Sequence, residues 1–198
     1  MLVAELSAAE SLDEMLSELT MVQNNSALLQ ASIAAGEDRS LLCVNCHGKD
    51  GNSVRDYIPN LASQNSAYLF KQFELFANGT RKDYVMSKLA KNLSTQDRID
   101  IALFFASKDV KPRKQTVSVD PKGKAIYDSM CIQCHEAEGH GNGIYPRIAG
   151  QPYEYLSKTL KKFKSGHEDR KQSPMTAVVK NIPQDQLDAV ASFIATMP

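Results

Sequence analysis

The side chains with the most specific chemistry in this 198-residue chain are its four cysteines. They form two Cys-x-x-Cys pairs, each followed directly by a histidine, at Cys43 to His47 and at Cys131 to His135. A structural zinc site would draw on two such pairs about 15–20 residues apart, whereas these pairs lie 88 residues apart. A dithiol redox motif needs no histidine here and belongs to a βαβ context. Neither alternative accounts for the full pattern.

Covalent attachment of c-type haem requires this combination of residue types. Two thiols add to the vinyl groups of the porphyrin and the adjacent histidine ligates the iron, so all three side chains must lie in one tight turn. The two motifs use every cysteine in the chain. The sequence therefore predicts two haem c groups, one held by Cys43 and Cys46 with His47 on its iron, the other by Cys131 and Cys134 with His135.

The two motifs are the centres of an internal repeat. Corresponding residues lie 87 to 89 positions apart throughout, at Gly36 and Gly123, Pro59 and Pro146, Gln64 and Gln151, and Met86 and Met175. Similarity by chance would not keep such a register. We interpret most of the chain as two copies of one domain.

The repeat also indicates the second axial ligand of each iron. Met86 is the only methionine of the first unit and follows His47 by 39 residues, and Met175 follows His135 by 40. A methionine is usually a core residue, but the shared register favours iron ligation at both positions. Four other residues are rivals that fit this pattern less well: His140 in a glycine-rich loop, His167 after a helix end, Met130 beside Cys131, and Met197 outside the register.

Ligation by histidine and methionine has functional consequences. A thioether ligand raises the reduction potential of the haem, and two filled axial positions leave no site for a substrate. We therefore expect an electron carrier with no catalytic residue. The carbonyl groups of Pro59 and Pro146 are candidate acceptors for a hydrogen bond from the histidine Nδ1, the alternative being that both prolines only form turns.

The elements that must position these residues are predicted to be helices. Ser94 supplies an N-cap with Asp97 in the first turn, and an apolar helical face follows it. Pro183 stands at a helix start in the second unit, where a missing N–H does no harm. Alternation typical of strands is absent, so we expect an all-α protein.

These motifs resemble class I cytochrome c, and their duplication resembles the di-haem cytochrome c4 family. The similarity covers residues 35–198 and rests on Cys-x-x-Cys-His-Gly, Pro-x-Leu-Ala-x-Gln, the later methionine and the Leu-Ser-x-Gln-Asp helix start. Two residues replace glycines of the pattern, Ser63 in the first unit and Glu136 in the second. We expect an acidic helical extension over 1–35, cytochrome c domains over 36–108 and 121–198, and a linker over 109–120.

The resemblance implies two haems that face each other across the domain interface. It also implies a periplasmic shuttle between a quinol-cytochrome c oxidoreductase and terminal oxidases or reductases. A tightly bound electron-transfer subunit of a dehydrogenase, for example one that oxidises sulfur compounds, is the alternative. A di-haem enzyme is a third reading, which would need an open or labile axial position.

The N-terminal extension differs from the repeat in charge and pattern. Residues 1–38 hold seven acidic residues and no Lys or Arg, so the remainder carries a net charge of +7 in a chain whose charges cancel overall. Apolar residues of the extension recur on one helical face, at Leu2, Leu6, Ala9, Leu12, Leu16 and Leu19. This face would either pack on its own domain or dock on a partner or a second copy of the chain.

Overall charge and hydropathy indicate which classes of partner and which cell compartment to expect. With 23 basic and 23 acidic residues, the chain does not look like a general nucleic-acid binder. Neither a membrane-spanning stretch nor a signal peptide is visible, and we expect a periplasmic chain whose export signal has been removed. A basic cluster at Lys158, Lys161, Lys162 and Lys164 is either a solvated helix face or a surface that steers an acidic partner.

Overall fold

The computed structural model describes residues 11–114, 117–143, 145–170 and 172–198 of the chain. Its first half is built from six α-helices with one 3₁₀ turn at Ser40–Leu42. The helices are α1 (Leu12–Gln23), α2 (Ser26–Arg39), α3 (Val44–His47), α4 (Ser66–Ala77), α5 (Met86–Lys91) and α6 (Thr95–Ala106).

The second half repeats this series from α2 onward. It contains α7 (Lys122–Ile126), a π-helical turn at Tyr127–Cys131, α8 (Ile132–His135), α9 (Tyr153–Lys164), α10 (Pro174–Val179) and α11 (Gln184–Ile194). The described residues contain no strand, so the predicted all-α fold is confirmed. None of the helices in this part of the chain combines the length and hydropathy that crossing a bilayer requires.

The helix starts show why the sequence breaks into these elements. The Ser94 hydroxyl accepts a hydrogen bond from the Asp97 amide at 3.1 Å, and the Asp97 carboxylate accepts one from the Ser94 amide at 2.9 Å. This reciprocal capping box satisfies two amides that α6 itself cannot pair. Pro183 immediately precedes α11, as predicted.

Each half has its own hydrophobic core. Fully buried side chains of the first include Phe70, Phe104 and Phe105, and those of the second include Tyr127 and Leu187. The first core is closed where α2 crosses α6, and the second where α7 crosses α11. The predicted duplication is therefore visible as two packed units.

The extension belongs to the first core. In α1 the side chains of Met15, Leu19 and Val22 are buried, and Leu12 and Leu16 pack partly against the same cluster. Leu2, Leu6 and Ala9, which complete the predicted apolar face, lie outside the described residues. The described part of that face thus packs on its own domain.

The boundary expected after residue 35 falls inside α2. That boundary followed the sequence repeat, which becomes recognisable at Gly36. The helix itself begins ten residues earlier, because the Asn25 side chain accepts hydrogen bonds from the amides of Ala27 and Leu28 at 3.1 and 3.2 Å. Only the last part of α2 has a helical counterpart in the second unit, because α7 begins at Lys122, the position that corresponds to residue 35.

Truncation of Leu19 tests whether α1 is part of the first domain. Leu19 is 1% exposed, so Leu19→Ala should lower the free energy of unfolding by about 2–5 kcal/mol through lost burial and a cavity. The measurement is denaturant unfolding of the haem-loaded protein. Met21→Ala on the same helix is the control, since Met21 is 60% exposed and its loss should change stability by less than about 0.5 kcal/mol. Equal effects of the two changes would contradict the packing of α1.

Candidate functional site

The haem-attachment motifs each form one short helical turn. The amides of Cys46 and His47 both donate to the Cys43 carbonyl, at 3.1 and 2.9 Å, which holds the three side chains of the first motif together. Cys43 packs against the first core and Cys131 against the second. Burial raises the pKa of both thiols, that of Cys131 to about 11.

These surroundings suit thiols that add to a porphyrin better than zinc ligands. A structural zinc site needs four ligands in one place, which here would require both Cys-x-x-Cys pairs together. The two Cys-x-x-Cys pairs belong to separate cores. Within the described ranges, no group of three or more His, Cys, Asp and Glu side chains is placed to bind a metal ion.

Both histidines of the motifs are oriented by a proline carbonyl. The Nδ1 atom of His47 lies 2.9 Å from the carbonyl oxygen of Pro59, and that of His135 lies 2.9 Å from the carbonyl oxygen of Pro146. Burial lowers the pKa of both imidazoles. A neutral ring that donates through Nδ1 keeps the lone pair of Nε2 for a metal, so each ring is in the form that can ligate haem iron.

The two candidate methionines stand at matching helix starts. Met86 opens α5, where its amide donates to the Asp83 carboxylate at 2.9 Å. Met175 lies in the first turn of α10, and its amide is 3.3 Å from the Ser173 hydroxyl that accepts from it. Both side chains are half-buried against the core of their own unit. A polar cap thus fixes the backbone from which each thioether extends.

The rival ligands occupy other environments. His140 is exposed, with Nδ1 3.5 Å from a Glu138 carboxylate oxygen, and His167 is exposed and paired with Asp169. Met130 is 42% exposed, whereas Met197 is buried in the second core.

The basic cluster on α9 is partly neutralised within the chain. Lys158 pairs with Glu154 at 2.5 Å and Lys162 with Asp169 at 2.9 Å, while the Lys164 ammonium donates to a backbone carbonyl. These contacts reduce the charge that the cluster offers to a partner.

The two departures from the glycine pattern lie at strained backbone positions. Among the described residues, Ser63 and Glu136 are the non-glycine residues with positive φ, at 53° and 64°. Their counterparts in the other unit are glycines, Gly150 at φ 67° and Gly48 at φ 80°. With ψ at 169°, Glu136 occupies a region that only glycine enters readily.

Restoring the glycine should stabilise the protein. Glu136→Gly should raise the free energy of unfolding by about 1–3 kcal/mol, the usual cost of such a conformation. Ser63→Gly should raise it by about 1 kcal/mol, because its left-handed conformation costs less. Thermal unfolding of the haem-loaded protein measures both. A loss of stability in Glu136→Gly would show that contacts of the Glu136 side chain outweigh the strain.

Four residues that sequence reasoning left without a role join the two units. The Gln64 side chain donates to the Arg147 carbonyl at 2.7 Å and accepts from the Arg147 amide at 2.8 Å. The Gln151 side chain donates to the Asn60 carbonyl at 2.8 Å and accepts from the Asn60 amide at 3.0 Å. The signal was the repeated Pro-x-Leu-Ala-x-Gln segment, in which the two glutamines hold matching positions.

A second symmetric contact involves tyrosines and arginines. Arg81 of the first unit lies 3.5 Å from the Tyr155 hydroxyl of the second, and Arg170 of the second lies close to Tyr68 of the first. The Nε atoms of Arg147 and Arg170 are buried without a hydrogen-bond partner in the described structure, as is that of Arg98. Unpartnered guanidinium nitrogens beside the interface suit anionic groups such as haem propionates.

Comparison with known proteins places the chain among c-type cytochromes. The sequence model of the cytochrome c family matches residues 121–198, the second unit. Cytochrome c4 of Azotobacter vinelandii is 33% identical in an alignment 187 positions long. The alignment covers 81% of this chain and 87% of that protein. The solved structure of reduced recombinant cytochrome c4 from Pseudomonas stutzeri has a TM-score of 0.74 at 28% identity, covering 83% of this chain and 98% of that one.

A second relative, whose name specifies its electron donor, has a similar sequence identity to this chain. A thiosulfate dehydrogenase electron acceptor of Thiomonas intermedia is 30% identical to this chain. The alignment covers 85% of this chain and 84% of that protein.

Proposed function

The chain belongs to the cytochrome c4 family of di-haem electron-transfer cytochromes, and from this membership we propose that it is a periplasmic carrier of single electrons between respiratory redox proteins. Its two haem c groups are attached at the two Cys-x-x-Cys-His motifs. We assign His47 and Met86 as axial ligands of the first iron, and His135 and Met175 as those of the second.

The matched surroundings of the two histidines carry this proposal. Each ring is buried, neutral and held through Nδ1 by a proline carbonyl at 2.9 Å. Each candidate methionine starts a short helix whose first amides are capped by a side chain. When bound, each haem supplies an iron that takes up and releases one electron. The chain fixes the ligands and excludes water, so that little rearrangement accompanies the change in charge.

The division into domains follows the two cores. We place the first cytochrome c domain at 26–108, with α1 as an added helix on its surface, and the second at 121–198. Residues 109–120 link them. Part of this linker is docked on the first domain, because Arg113 pairs with Asp56 at 2.5 Å and the Lys111 amide donates to the Asn52 side chain at 2.9 Å.

The partners that the family resemblance implies are a quinol-cytochrome c oxidoreductase as donor and a terminal oxidase or reductase as acceptor. The alternative is a dedicated acceptor for a dehydrogenase, and the similarity to the thiosulfate dehydrogenase electron acceptor of Thiomonas intermedia favours it. In both cases the chain carries electrons and does not itself transform a substrate.

Spectroscopy and kinetics of the haem-loaded protein test the proposal. Two haems per chain, a far-red charge-transfer band from methionine ligation of ferric iron, and two one-electron steps in a redox titration are expected. Rapid mixing with a purified thiosulfate dehydrogenase, thiosulfate present, separates the two partner classes. Fast reduction there would favour the dedicated acceptor.

Two results would overturn the carrier assignment. One is a haem that lacks the charge-transfer band and binds added cyanide at once, which would reveal an open axial position. The other is turnover of peroxide or thiosulfate by the chain alone.

A further inference from the structure

One peptide group connects each axial histidine to the opposite domain. The carbonyl of Pro59 lies 2.9 Å from His47 Nδ1, and the amide of the same peptide group, on Asn60, donates to Gln151 of the second domain at 3.0 Å. The carbonyl of Pro146 lies 2.9 Å from His135 Nδ1. The amide of that peptide group, on Arg147, donates to Gln64 of the first domain at 2.8 Å.

Each glutamine holds the residue after the proline through both of its backbone groups. Each accepts from the amide of the residue after the proline and donates to the carbonyl of that same residue, at 2.7 Å for Gln64 and 2.8 Å for Gln151. Both side chains are only 5% exposed, so water does not compete for these bonds. The backbone that orients each histidine is therefore positioned by the other domain.

We propose that Gln64 and Gln151 are positioning residues that tune the reduction potential of the haem in the opposite domain. The inference rests on the assignment of His47 and His135 as iron ligands. A hydrogen bond accepted from a peptide N–H polarises the group and makes its carbonyl a stronger acceptor. A stronger acceptor on Nδ1 makes the imidazole more basic and stabilises ferric iron. Gln64 thereby lowers the potential of the second haem, and Gln151 that of the first.

The contacts around the two glutamines are not equivalent. The Asn60 side chain makes an additional bond to the Gly150 carbonyl of the second domain at 2.9 Å. The Arg147 side chain instead bonds the Pro198 carbonyl of its own domain. Loss of Gln151 therefore leaves the Asn60 side-chain bond across the interface, whereas the Arg147 side chain supplies no such bond among those of the described residues. The larger effect is expected at the second haem.

The test is a redox titration of the holoprotein in which each glutamine is replaced in turn and the potentials of both haems are measured. Gln64→Met, which removes the amide with little change of volume, should lower the ferric-to-ferrous ratio of the second haem about threefold at a fixed ambient potential, a rise of about 28 mV at 59 mV per tenfold. The first haem should move by less than a third of that. Gln151→Met should give the reverse pattern with a smaller shift. NMR signals of the axial methionine methyl groups distinguish the haems.

Amide exchange supplies a readout that does not depend on electron transfer. In Gln64→Met the Arg147 amide should exchange at least about tenfold faster, since its acceptor is lost, while the Asn60 amide stays protected. Gln186→Met is the control, because Gln186 is exposed on α11, and it should leave both potentials and both amides unchanged. If a Met variant fails to load two haems, the alanine variant serves, with a smaller shift of the same sign because water can enter.

The outcomes separate the failure of this inference from failure of the proposed function. Equal shifts at both haems would show that the glutamines only hold the interface together, and no shift at either would also overturn the inference. Absence of methionine ligation in the unsubstituted protein would instead overturn the ligand assignment. A shift mainly at the haem of the opposite domain, in a protein with both haems ligated, supports the inference.

Discussion

Met86→Ala should lower the reduction potential of the first haem by on the order of 0.1–0.3 V, a fraction of the roughly 0.8 V range that axial ligands control. A thioether favours the ferrous state, so its removal shifts the balance toward ferric iron. The far-red charge-transfer band should fall to about half, because Met175 still ligates the second haem. Potentiometric titration followed optically measures both effects, and Met175→Ala should act in the same way on the second haem.

Two other methionines provide matched controls. Met130 is 42% exposed, so Met130→Ala should leave the band, both potentials and the stability unchanged. Met197 is buried in the second core, and Met197→Ala should lower the free energy of unfolding by about 2–5 kcal/mol while the band persists. A full band in Met86→Ala would show that another side chain completes the first iron.

The repeat register in the sequence was sufficient to predict the order and the spacing of the helices. Corresponding helices start 87 residues apart for α4 and α9, 88 for α5 and α10, and 89 for α6 and α11. The spacing between corresponding residues in the sequence covers the same range, 87 to 89. The Pro59 carbonyl was a candidate acceptor for His47 Nδ1, with a purely turn-forming proline as the alternative, and it lies 2.9 Å from that atom. Local chemistry and periodicity were enough for these features.

Contacts between the units could not be predicted in this way. Gln64 meets Arg147 and Gln151 meets Asn60, and a repeat shows which residues correspond but not how one copy is rotated on the other. The repeat marks the two glutamines as corresponding residues, but a buried amide that bonds a backbone group leaves no charge or periodicity that would identify its partner. Only the relative placement of the domains reveals these pairs.

The extension illustrates a second limit. Apolar spacing in the region of Leu12, Leu16 and Leu19 predicted a helix with one apolar face, and α1 forms there. The same spacing fits burial on the own domain and docking on a partner, because hydrophobic burial has no directional preference. The packing of Leu19 into the first core decides between them for the described residues.

Gly36→Ala and Gly123→Ala should each lower the free energy of unfolding by about 3 kcal/mol, the upper part of the range for overpacked cores. A Cβ at Gly36 would lie 2.8 Å from the Phe104 Cβ and against the Asp100 carbonyl. At Gly123 it would lie 2.8 Å from the Phe193 Cβ. Most of the obstructing atoms are backbone or Cβ atoms that cannot rotate away, so the helices must separate. Denaturant unfolding of the haem-loaded variants measures the loss.

A third glycine separates this clash from the general effect of adding a methyl group. No atom of the described residues would lie within 4 Å of a Cβ at Gly143, apart from its chain neighbours, and the φ of Gly143 is not in the left-handed region. Gly143→Ala should therefore change the free energy of unfolding by less than about 0.5 kcal/mol. If Gly36→Ala were equally silent, α2 and α6 would not be in the close contact described. A loss at Gly36 and Gly123 alone would show that both copies depend on the same helix crossing, which brings each attachment turn onto its core.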